Sequence, residues 1–351
     1  MRTEQLNYEL PEDRIARFPT VARDGARMLV VKEMAFEDST IAEWPNLVPP
    51  ESLLVLNDTR VFKARLLGHR RPMGGKVELL LLEPLVSAPS DTTHRHWRAI
   101  GRANRPLVPE TVVDFGGLTA RILGREESGE LQVELESEGS FEEALDRVGH
   151  VPIPPYLRRE DDSSDRDRYQ TVYARHSGSI AAPTAGLHLS PDILQALHRR
   201  GVEIGFTTLH VGMGTFKPVV AEDLDEHDMH TERFEVSGAL AGAISNARAR
   251  KAPVVAVGTT VVRALESAAD PQRVGHVIAR AGTTRLLIQP GYSFRVADAL
   301  LTNFHMPKST LLALVGAFIG LERTLRAYHV ALERDYRFLS YGDAMWIPQR
   351  I

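Results

Sequence analysis

The chain has 351 residues, about twice the length of an ordinary domain, and this length predicts two compact units. Its 43% hydrophobic and 25% charged residues exclude disorder, collagen and coiled coil as whole-chain descriptions, and its 0 cysteines exclude disulfides, thiolate metal sites and a cysteine nucleophile. The formal net charge of −4, taken alone, argues against a dedicated nucleic-acid binder.

The N-terminal segment carries no secretory signal, because its first residues lead into no apolar stretch. Together with the lack of cysteine, this predicts a cytoplasmic protein. Residues 53–56 are a short apolar run, Leu-Leu-Val-Leu, and predict a buried strand of an α/β sheet.

The stretch that follows predicts a different architecture. Short apolar or alternating runs recur about every ten residues between glycine-containing turns, which is typical of a small antiparallel barrel or sandwich. The predicted strands are residues 76–83, 112–115, 119–123 and 131–136.

Charge in this stretch is divided between two halves. Residues 60–105 carry ten Arg and Lys against three acids, a local charge of +7, whereas residues 106–150 carry three against eleven, a local charge of −8. One interpretation is a solvated surface with ion pairs between the halves, and the other is a basic face for a polyanion such as RNA. Trp97 could stack on RNA bases at such a face or belong to the barrel core.

Beyond the barrel, strands alternate with helices. The run at residues 158–168 has no apolar side chain and predicts an exposed connector. Ser190 and Gly201 are predicted to cap a helix between them, and the apolar window at residues 311–321 predicts a buried helix too short for a membrane span. Strands are predicted at residues 202–211, 254–257 and 285–289.

This alternation indicates an α/β layer architecture. We therefore predict a mixed α/β main domain, residues 1–60 plus 150–351, with a small antiparallel β-barrel domain inserted as residues 61–149.

Four segments rich in glycine, threonine and histidine are candidates for chemistry, since α/β sheets bind ligands at strand ends. At Gly258-Thr259-Thr260, free N–H groups of a helix N-terminus and two hydroxyls would suit a phosphate or an amino-acid carboxylate, although simple helix capping is the alternative. The segments are residues 179–188, 207–216, 258–263 and 302–307.

Other chemistries fit less well. Gly212-Met213-Gly214 begins like a dinucleotide-binding fingerprint, but Lys217 stands where the third glycine should be. The histidines suit acid–base chemistry at neutral pH, a structural role or a metal-dependent hydrolase, although His227 and His230 lack the helix-face spacing of a zinc motif. A non-catalytic RNA-binding module is a further alternative.

In this order, with Asn57-Asp58-Thr59-Arg60 before them and residues 336–345 after them, the four segments closely resemble the S-adenosylmethionine:tRNA ribosyltransferase-isomerase family of queuosine biosynthesis. The resemblance runs from Tyr8 to the C-terminus. It departs at Leu189, where phenylalanine is usual, and at Val261, where serine is common, and it is weakest over residues 84–148.

The resemblance implies a monomeric, cytoplasmic, metal-free enzyme without a bound cofactor or a membrane partner. It implies that S-adenosylmethionine is consumed as a co-substrate and that its ribosyl part is transferred and isomerised onto 7-aminomethyl-7-deazaguanine. That base occupies the wobble position of the tRNA anticodon loop, and the products are epoxyqueuosine, adenine and methionine.

This reaction needs at least two proton-transfer groups, since a base must remove a C5′ hydrogen beside the sulfonium and an acid helps adenine to leave. The candidate catalytic residues are His188, His210 and His305, with Asp58, Glu232 and Asp343 as their partners or as acids and bases themselves. The candidate substrate-binding residues are Asn57, Thr59, Arg60, Pro183, Thr184, Gly186, Gly212, Gly214, Thr215, Gly258, Thr259, Thr260, Arg263, Asn303 and Tyr341. Among these, Arg60 and Arg263 could pair with the methionine carboxylate or a tRNA phosphate.

Overall fold

The computed structural model describes residues 1–72, 74–85, 94–212, 214 and 219–350. They divide into two compact units. The larger comprises Met1–Arg60, Pro154–Arg159 and Asp167–Ile351, and the smaller comprises Val61–Ile153 and Glu160–Arg166. No helix in the described part of the chain is long and apolar enough to cross a membrane.

Strands and α-helices are numbered here in chain order. The strands are β1 Arg27–Val31, β2 Phe36–Thr40, β3 Leu53–Asn57, β4 Thr59–Val61, β5 Arg65–Arg70, β6 Lys76–Pro84, β7 His94–Ala103, β8 Val112–Asp114, β9 Leu118–Arg125, β10 Leu131–Ser137, β11 His176–Ser179, β12 Glu203–Leu209, β13 Glu232–Val236, β14 Val254–Val257, β15 Arg280–Thr284, β16 Ala299–Asn303 and β17 Ala344–Ile347. The helices are α1 Trp44–Leu47, α2 Phe141–Val148, α3 Asp165–Arg168, α4 Pro191–Arg199, α5 Gly238–Ala249, α6 Thr259–Ser267, α7 Thr310–Ile319 and α8 Leu321–Glu333.

The larger unit is built on a nine-stranded sheet in the order β15-β13-β12-β3-β14-β16-β17-β1-β2. Its central strands β12, β3, β14 and β16 are parallel. Leu53 and Val55 of β3 belong to one core cluster and Leu54 and Leu56 to another, so both faces of the sheet are covered. This explains why β3 reads as a continuous apolar run in the sequence.

The smaller unit is a closed barrel of six antiparallel strands in the order β10-β7-β6-β5-β8-β9. Alternate residues of β10 point into its core, as the sequence pattern predicts. Trp97 packs against that core, with ring centroids 5.5 Å from Phe62 and 6.1 Å from Phe141. The structure therefore favours the core interpretation of Trp97.

The predicted fold class, an α/β main domain with an inserted antiparallel barrel, is confirmed. The strand predicted at residues 285–289 is wrong, because the edge strand is β15 and pairs with β13, while Leu286 beyond it turns its carbonyl oxygen to Arg263. The helix predicted at residues 311–321 is divided at Gly320, whose φ of 83° ends α7.

The charged run at residues 158–168 is not simply an exposed connector. Asp165 is fully buried. Asp161 accepts a hydrogen bond from the backbone N–H of Val151 at 3.1 Å, and its Oδ1 lies 3.0 Å from His150 Nδ1. A purely polar sequence gives no sign of such burial, because residues outside the run supply hydrogen-bond partners such as Val151 and His150.

The two oppositely charged halves of the barrel sequence pair with each other. Closing the barrel brings the basic strands β5 and β7 beside the acidic β8 and β10. The ion pairs between the halves include Lys63 with Asp146, Arg71 with Asp114, Arg95 with Glu142, and Arg98 with Glu126 and Glu130. The ion-pair interpretation therefore accounts for much of the local charge.

Candidate active site

The predicted motifs meet in the larger unit, where the central parallel strands end. The carboxyl ends of β12, β3, β14 and β16 lie side by side, and a pocket opens beyond β14 and β16. It is lined by Tyr156, Ala181, Ala182, Pro183, Thr184, Ala185, Val211, Gly258, Thr259, Thr260, Arg263, Thr302, Asn303, Phe304, His305, Met306, Ser309, Leu311, Leu339 and Ser340. This is the edge at which open α/β sheets bind ligands.

Helix α6 begins at this pocket. Gly258 precedes it with φ 92°, a conformation that favours glycine, and offers no side chain to cap the first turn. Asn57 fixes the position of that turn, because its Nδ2 donates to Leu209 O at 2.9 Å and to Thr260 Oγ1 at 3.3 Å. The first N–H groups of α6 are thereby held at the pocket without a side-chain cap.

Arg263, which lines the pocket, belongs to a buried ion pair. Arg263 Nη1 donates to Glu232 Oε2, and Arg263 Nε donates to the carbonyl oxygen of Leu286 at 3.1 Å. Glu232 Oε1 accepts the backbone N–H of Gly212 at 3.2 Å. Arg263 Nη2 is buried and has no hydrogen-bond partner among the described residues.

His188 and Asn303 form a second buried pair. Asn303 Nδ2 donates to the Leu339 carbonyl oxygen at 3.0 Å and lies 3.2 Å from His188 Nε2. Because a carbonyl only accepts, the amide nitrogen faces Leu339, and His188 Nε2 must accept the second amide hydrogen. Burial, reinforced by the charge of Arg337, lowers the pKa of His188 to about 4. His188 is therefore neutral at neutral pH, with its proton on Nδ1.

The other two candidate histidines are held by threonines. His305 Nε2 lies 2.9 Å from Thr302 Oγ1, and burial lowers the pKa of His305 to about 3. His210 Nδ1 lies 2.8 Å from Thr59 Oγ1, and burial, with the charge of Arg233, lowers its pKa to about 4. Both imidazoles are neutral at neutral pH, and His305 lines the pocket itself.

The candidate aspartates hold local structure. Asp58 Oδ1 accepts from Thr208 Oγ1 at 2.7 Å. Asp343 accepts the backbone N–H groups of Arg27 at 3.0 Å and Arg337 at 2.8 Å. Both carboxylates are buried.

The structure brings some of the predicted binding residues to the pocket and places others behind it. Those that line it are Pro183, Thr184, Gly258, Thr259, Thr260, Arg263 and Asn303. Gly186 packs against Tyr173, Gly214 against His230, Tyr341 is buried with its ring 5.9 Å from that of Tyr169, and Arg60 is exposed. Thr59 is buried beside His210, and Thr215 lies outside the described residues.

Sequence reasoning missed two hydroxyl groups of the pocket. Tyr156 Oη lies 2.5 Å from Ser340 Oγ, and burial raises the pKa of Tyr156 to about 12. Ser340 stands within the family-like segment 336–345, so its position was a usable signal. Tyr156 follows a proline-rich stretch, and no local pattern marks it as a pocket residue.

The histidine and acidic side chains of residues 227–232 do not converge on one point. Asp228 pairs with Arg285, whereas Glu232 pairs with Arg263. Within the described residues, no group of three or more His, Asp or Glu side chains is placed to hold a metal ion. The predicted absence of a metal stays a prediction.

Comparison with known proteins identifies the family. A relative from Sorangium cellulosum named S-adenosylmethionine:tRNA ribosyltransferase-isomerase is 54% identical, covering 99% of this chain and 98% of its own. One of the same name from Anaeromyxobacter sp. (strain Fw109-5) is 51% identical, covering 99% of each chain.

A crystal structure of S-adenosylmethionine tRNA ribosyltransferase from Thermotoga maritima is also similar, with a TM-score of 0.54 and 31% identity over 98% of this chain and 99% of that chain. The family model for queuosine biosynthesis protein matches residues 3–347. The chain therefore belongs to the queuosine biosynthesis protein family.

Proposed function

We propose that this chain transfers and isomerises the ribosyl part of S-adenosylmethionine onto 7-aminomethyl-7-deazaguanine at the wobble position of tRNA, giving epoxyqueuosine and releasing adenine and methionine. The observation that carries the proposal is end-to-end similarity, 54% identity over 99% of the chain, to a relative named for this activity. S-adenosylmethionine is a consumed co-substrate, and the reaction uses no bound cofactor or metal. As the family resemblance implies, the enzyme works as a monomer in the cytoplasm.

The histidines carry the proton transfers. The sulfonium acidifies the C5′ hydrogens, and an imidazole that accepts one of them must be neutral, as burial keeps His210 and His305 at neutral pH. His305 is placed to meet a substrate directly because it lines the pocket. His188 supports these steps as a positioning residue, because its Nε2 accepts a hydrogen bond from Asn303, and His210 acts beside Thr59.

The carboxylates are positioning residues in this scheme. Glu232 orients Arg263, Asp58 orients Thr208, and Asp343 ties two backbone segments together. A buried carboxylate that already accepts such hydrogen bonds is held in one place and can fix its neighbours.

The tRNA contacts the basic tip of the barrel, defined as Arg70, Arg71, Lys76, Arg102 and Arg105. Arg70 donates to the carbonyl oxygens of Arg105 and Pro106 at 3.0 and 2.8 Å, which joins the β5–β6 turn to the segment after β7. Arg71 pairs with Asp114, but Lys76, Arg102 and Arg105 are exposed and have no ion pair with any described residue. Unpaired surface cations are what a phosphate backbone binds.

The proposal is tested by incubating the purified chain with S-adenosylmethionine and tRNA that carries the aminomethyl base. Adenine release that depends on this RNA supports it. Release without RNA, or none with it, would overturn it.

The histidine roles are tested by single-turnover adenine release in His188→Ala, His210→Ala and His305→Ala. A general acid or base contributes about 10²–10⁴-fold, so we expect losses of about 10²-fold or more. His198→Ala, an exposed histidine of α4, is the matched control and should match the wild type. If all three site variants stay within about tenfold of the wild type, other groups move the protons.

A further inference from the structure

Two buried polar atoms of the pocket have no partner among the described residues. They are Arg263 Nη2 and Asn303 Oδ1, and their side chains belong to residues that are only 6% and 2% exposed. Both residues line the same pocket. Buried polar groups in native proteins are nearly always hydrogen-bonded, so each of these atoms needs a partner that the described residues do not supply.

The identity of the two atoms follows from their neighbours. Arg263 already uses Nε on Leu286 and Nη1 on Glu232, which leaves the hydrogens of Nη2. Asn303 turns its amide nitrogen to the Leu339 carbonyl, which leaves its oxygen as an acceptor. The pocket thus offers a cationic donor and a separate neutral acceptor.

The N-terminus of α6 adds donors to the same pocket. The helix has nine residues, and its first turn has no side-chain cap. Thr260 Oγ1 accepts from Asn57, so its own hydrogen is available to donate. The helix dipole and the guanidinium both favour an anion here.

An acceptor beside these donors distinguishes between anions. An anion without a hydrogen to donate, such as sulfate or a phosphodiester, would satisfy Arg263 and the α6 N–H groups but would leave Asn303 Oδ1 unpaired. A zwitterionic amino acid satisfies both sides, because its carboxylate accepts and its ammonium donates. Ala182, Met306 and Leu311 supply apolar surface that suits methylene groups.

We propose that the amino-acid end of S-adenosylmethionine binds at this subsite. Its carboxylate accepts from Arg263 Nη2 and the first turn of α6, and its ammonium donates to Asn303 Oδ1. This inference rests on the proposed function, because that function supplies the ligand. Glu232 acts through Arg263 by holding the guanidinium at the pocket.

The test measures binding of S-adenosylmethionine and of its decarboxylated analogue by calorimetry. Hydrogen bonds to charged groups predict that the wild type binds the decarboxylated analogue about ten- to hundredfold more weakly. In Arg263→Gln the two ligands should bind within about threefold of each other, because only the N–H groups of α6 remain as partners of the carboxylate. To the wild type, an analogue without the α-amino group should bind about tenfold more weakly than S-adenosylmethionine does. To Asn303→Ala, this analogue and S-adenosylmethionine should bind equally well.

Arg248→Gln is the matched control, because Arg248 is also a partly buried arginine, paired with Asp298, and it does not line the pocket. It should keep the wild-type preference. Equal binding of both ligands by the wild type overturns the subsite without using any variant. A preference as large in Arg263→Gln as in the wild type overturns it too. If the enzyme releases adenine but binds S-adenosylmethionine no better than the decarboxylated analogue, the subsite is wrong and the proposed function stands. If it does not bind S-adenosylmethionine at all, both the subsite and the proposed function are wrong.

Discussion

Two asparagines connect the strand ends from which the pocket is built. Asn57 at the end of β3 joins Leu209 and Thr260, and Asn303 at the end of β16 joins Leu339 and His188. A carboxylate in either place could not donate, and an apolar side chain would leave buried backbone groups unpaired. The amide is therefore the side chain that these positions require.

Gly186 is predicted to be replaceable only if its neighbour changes. A Cβ at this position would lie 2.1 Å from Tyr173 Oη, so we expect Gly186→Ala to lower the free energy of unfolding by about 1–3 kcal/mol. Tyr173→Phe removes that oxygen, and the double variant should recover part of the loss in urea unfolding. Gly242→Ala in α5 is the control, since its Cβ would meet nothing within 4 Å. A destabilisation that Tyr173→Phe leaves unchanged would refute this steric explanation.

The buried His305 predicts a stability that depends on pH. Its folded pKa of about 3 lies below the unfolded value near 6.5, so its contribution is fully present above pH 6.5 and is lost as the pH falls toward 3. Between pH 7 and pH 5 this group should lower the free energy of unfolding by about 2 kcal/mol. Urea titrations at both pH values should show that His305→Gln, which keeps a polar partner for Thr302, lacks this part. An identical pH dependence in the variant would contradict the burial.

The sequence predicts which residues gather at the site better than it predicts what they do there. Glycine, threonine and histidine at strand ends locate the pocket, because parallel strands bring their carboxyl ends together. The pairing of Glu232 with Arg263 joins β13 to α6 and has no local pattern. The sequence does not reveal the role of Tyr156 for the same reason, since only the folded chain brings it to Ser340.

At the scale of elements, strands with clear apolar patterns are predictable and strands completed by distant partners are not. Residues 131–136 alternate and form β10 as predicted. Strand β7 has His or Arg at half of its ten positions and lacks a clear apolar alternation, and it becomes a strand because β6 and β10 pair with it on both sides. Strand β15 also lacks an apolar pattern, but it lies at the edge of its sheet and, among the described strands, pairs with β13 alone.

The basic tip of the barrel is predicted to bind tRNA through its exposed arginines. We expect Arg102→Glu with Arg105→Glu to raise KM for tRNA and to flatten its dependence on salt by about one unit of logarithmic slope for each phosphate that no longer has a cationic partner. Binding of S-adenosylmethionine should stay unchanged, because these residues lie in the barrel unit and the pocket lies in the other.

Arg326→Glu, an exposed position in α8, makes a charge change of the same kind elsewhere and is the control. An unchanged salt slope in the barrel variant would move the RNA-binding surface to the α/β unit.

At the scale of the whole molecule, net charge is a poor guide to the partner. The value of −4 is a sum over the whole chain that hides a basic and an acidic half of the barrel sequence. Much of the charge of these halves is used in ion pairs such as Lys63 with Asp146 and Arg71 with Asp114. Only the small set of cations that form no such pair is available to bind an RNA. The distribution of charge, which depends on the fold, therefore matters more than its sum.

In the proposed reaction, S-adenosylmethionine gives its ribosyl part to the RNA. This transfer is tested most directly with S-adenosylmethionine labelled separately in the ribose, the adenine and the methyl group, followed by mass spectrometry of the tRNA nucleosides. We predict that the ribose label enters the wobble nucleoside while the adenine and methyl labels leave in adenine and methionine. A methyl label in the RNA, or no ribose label there, would contradict the proposed transfer of the ribosyl part.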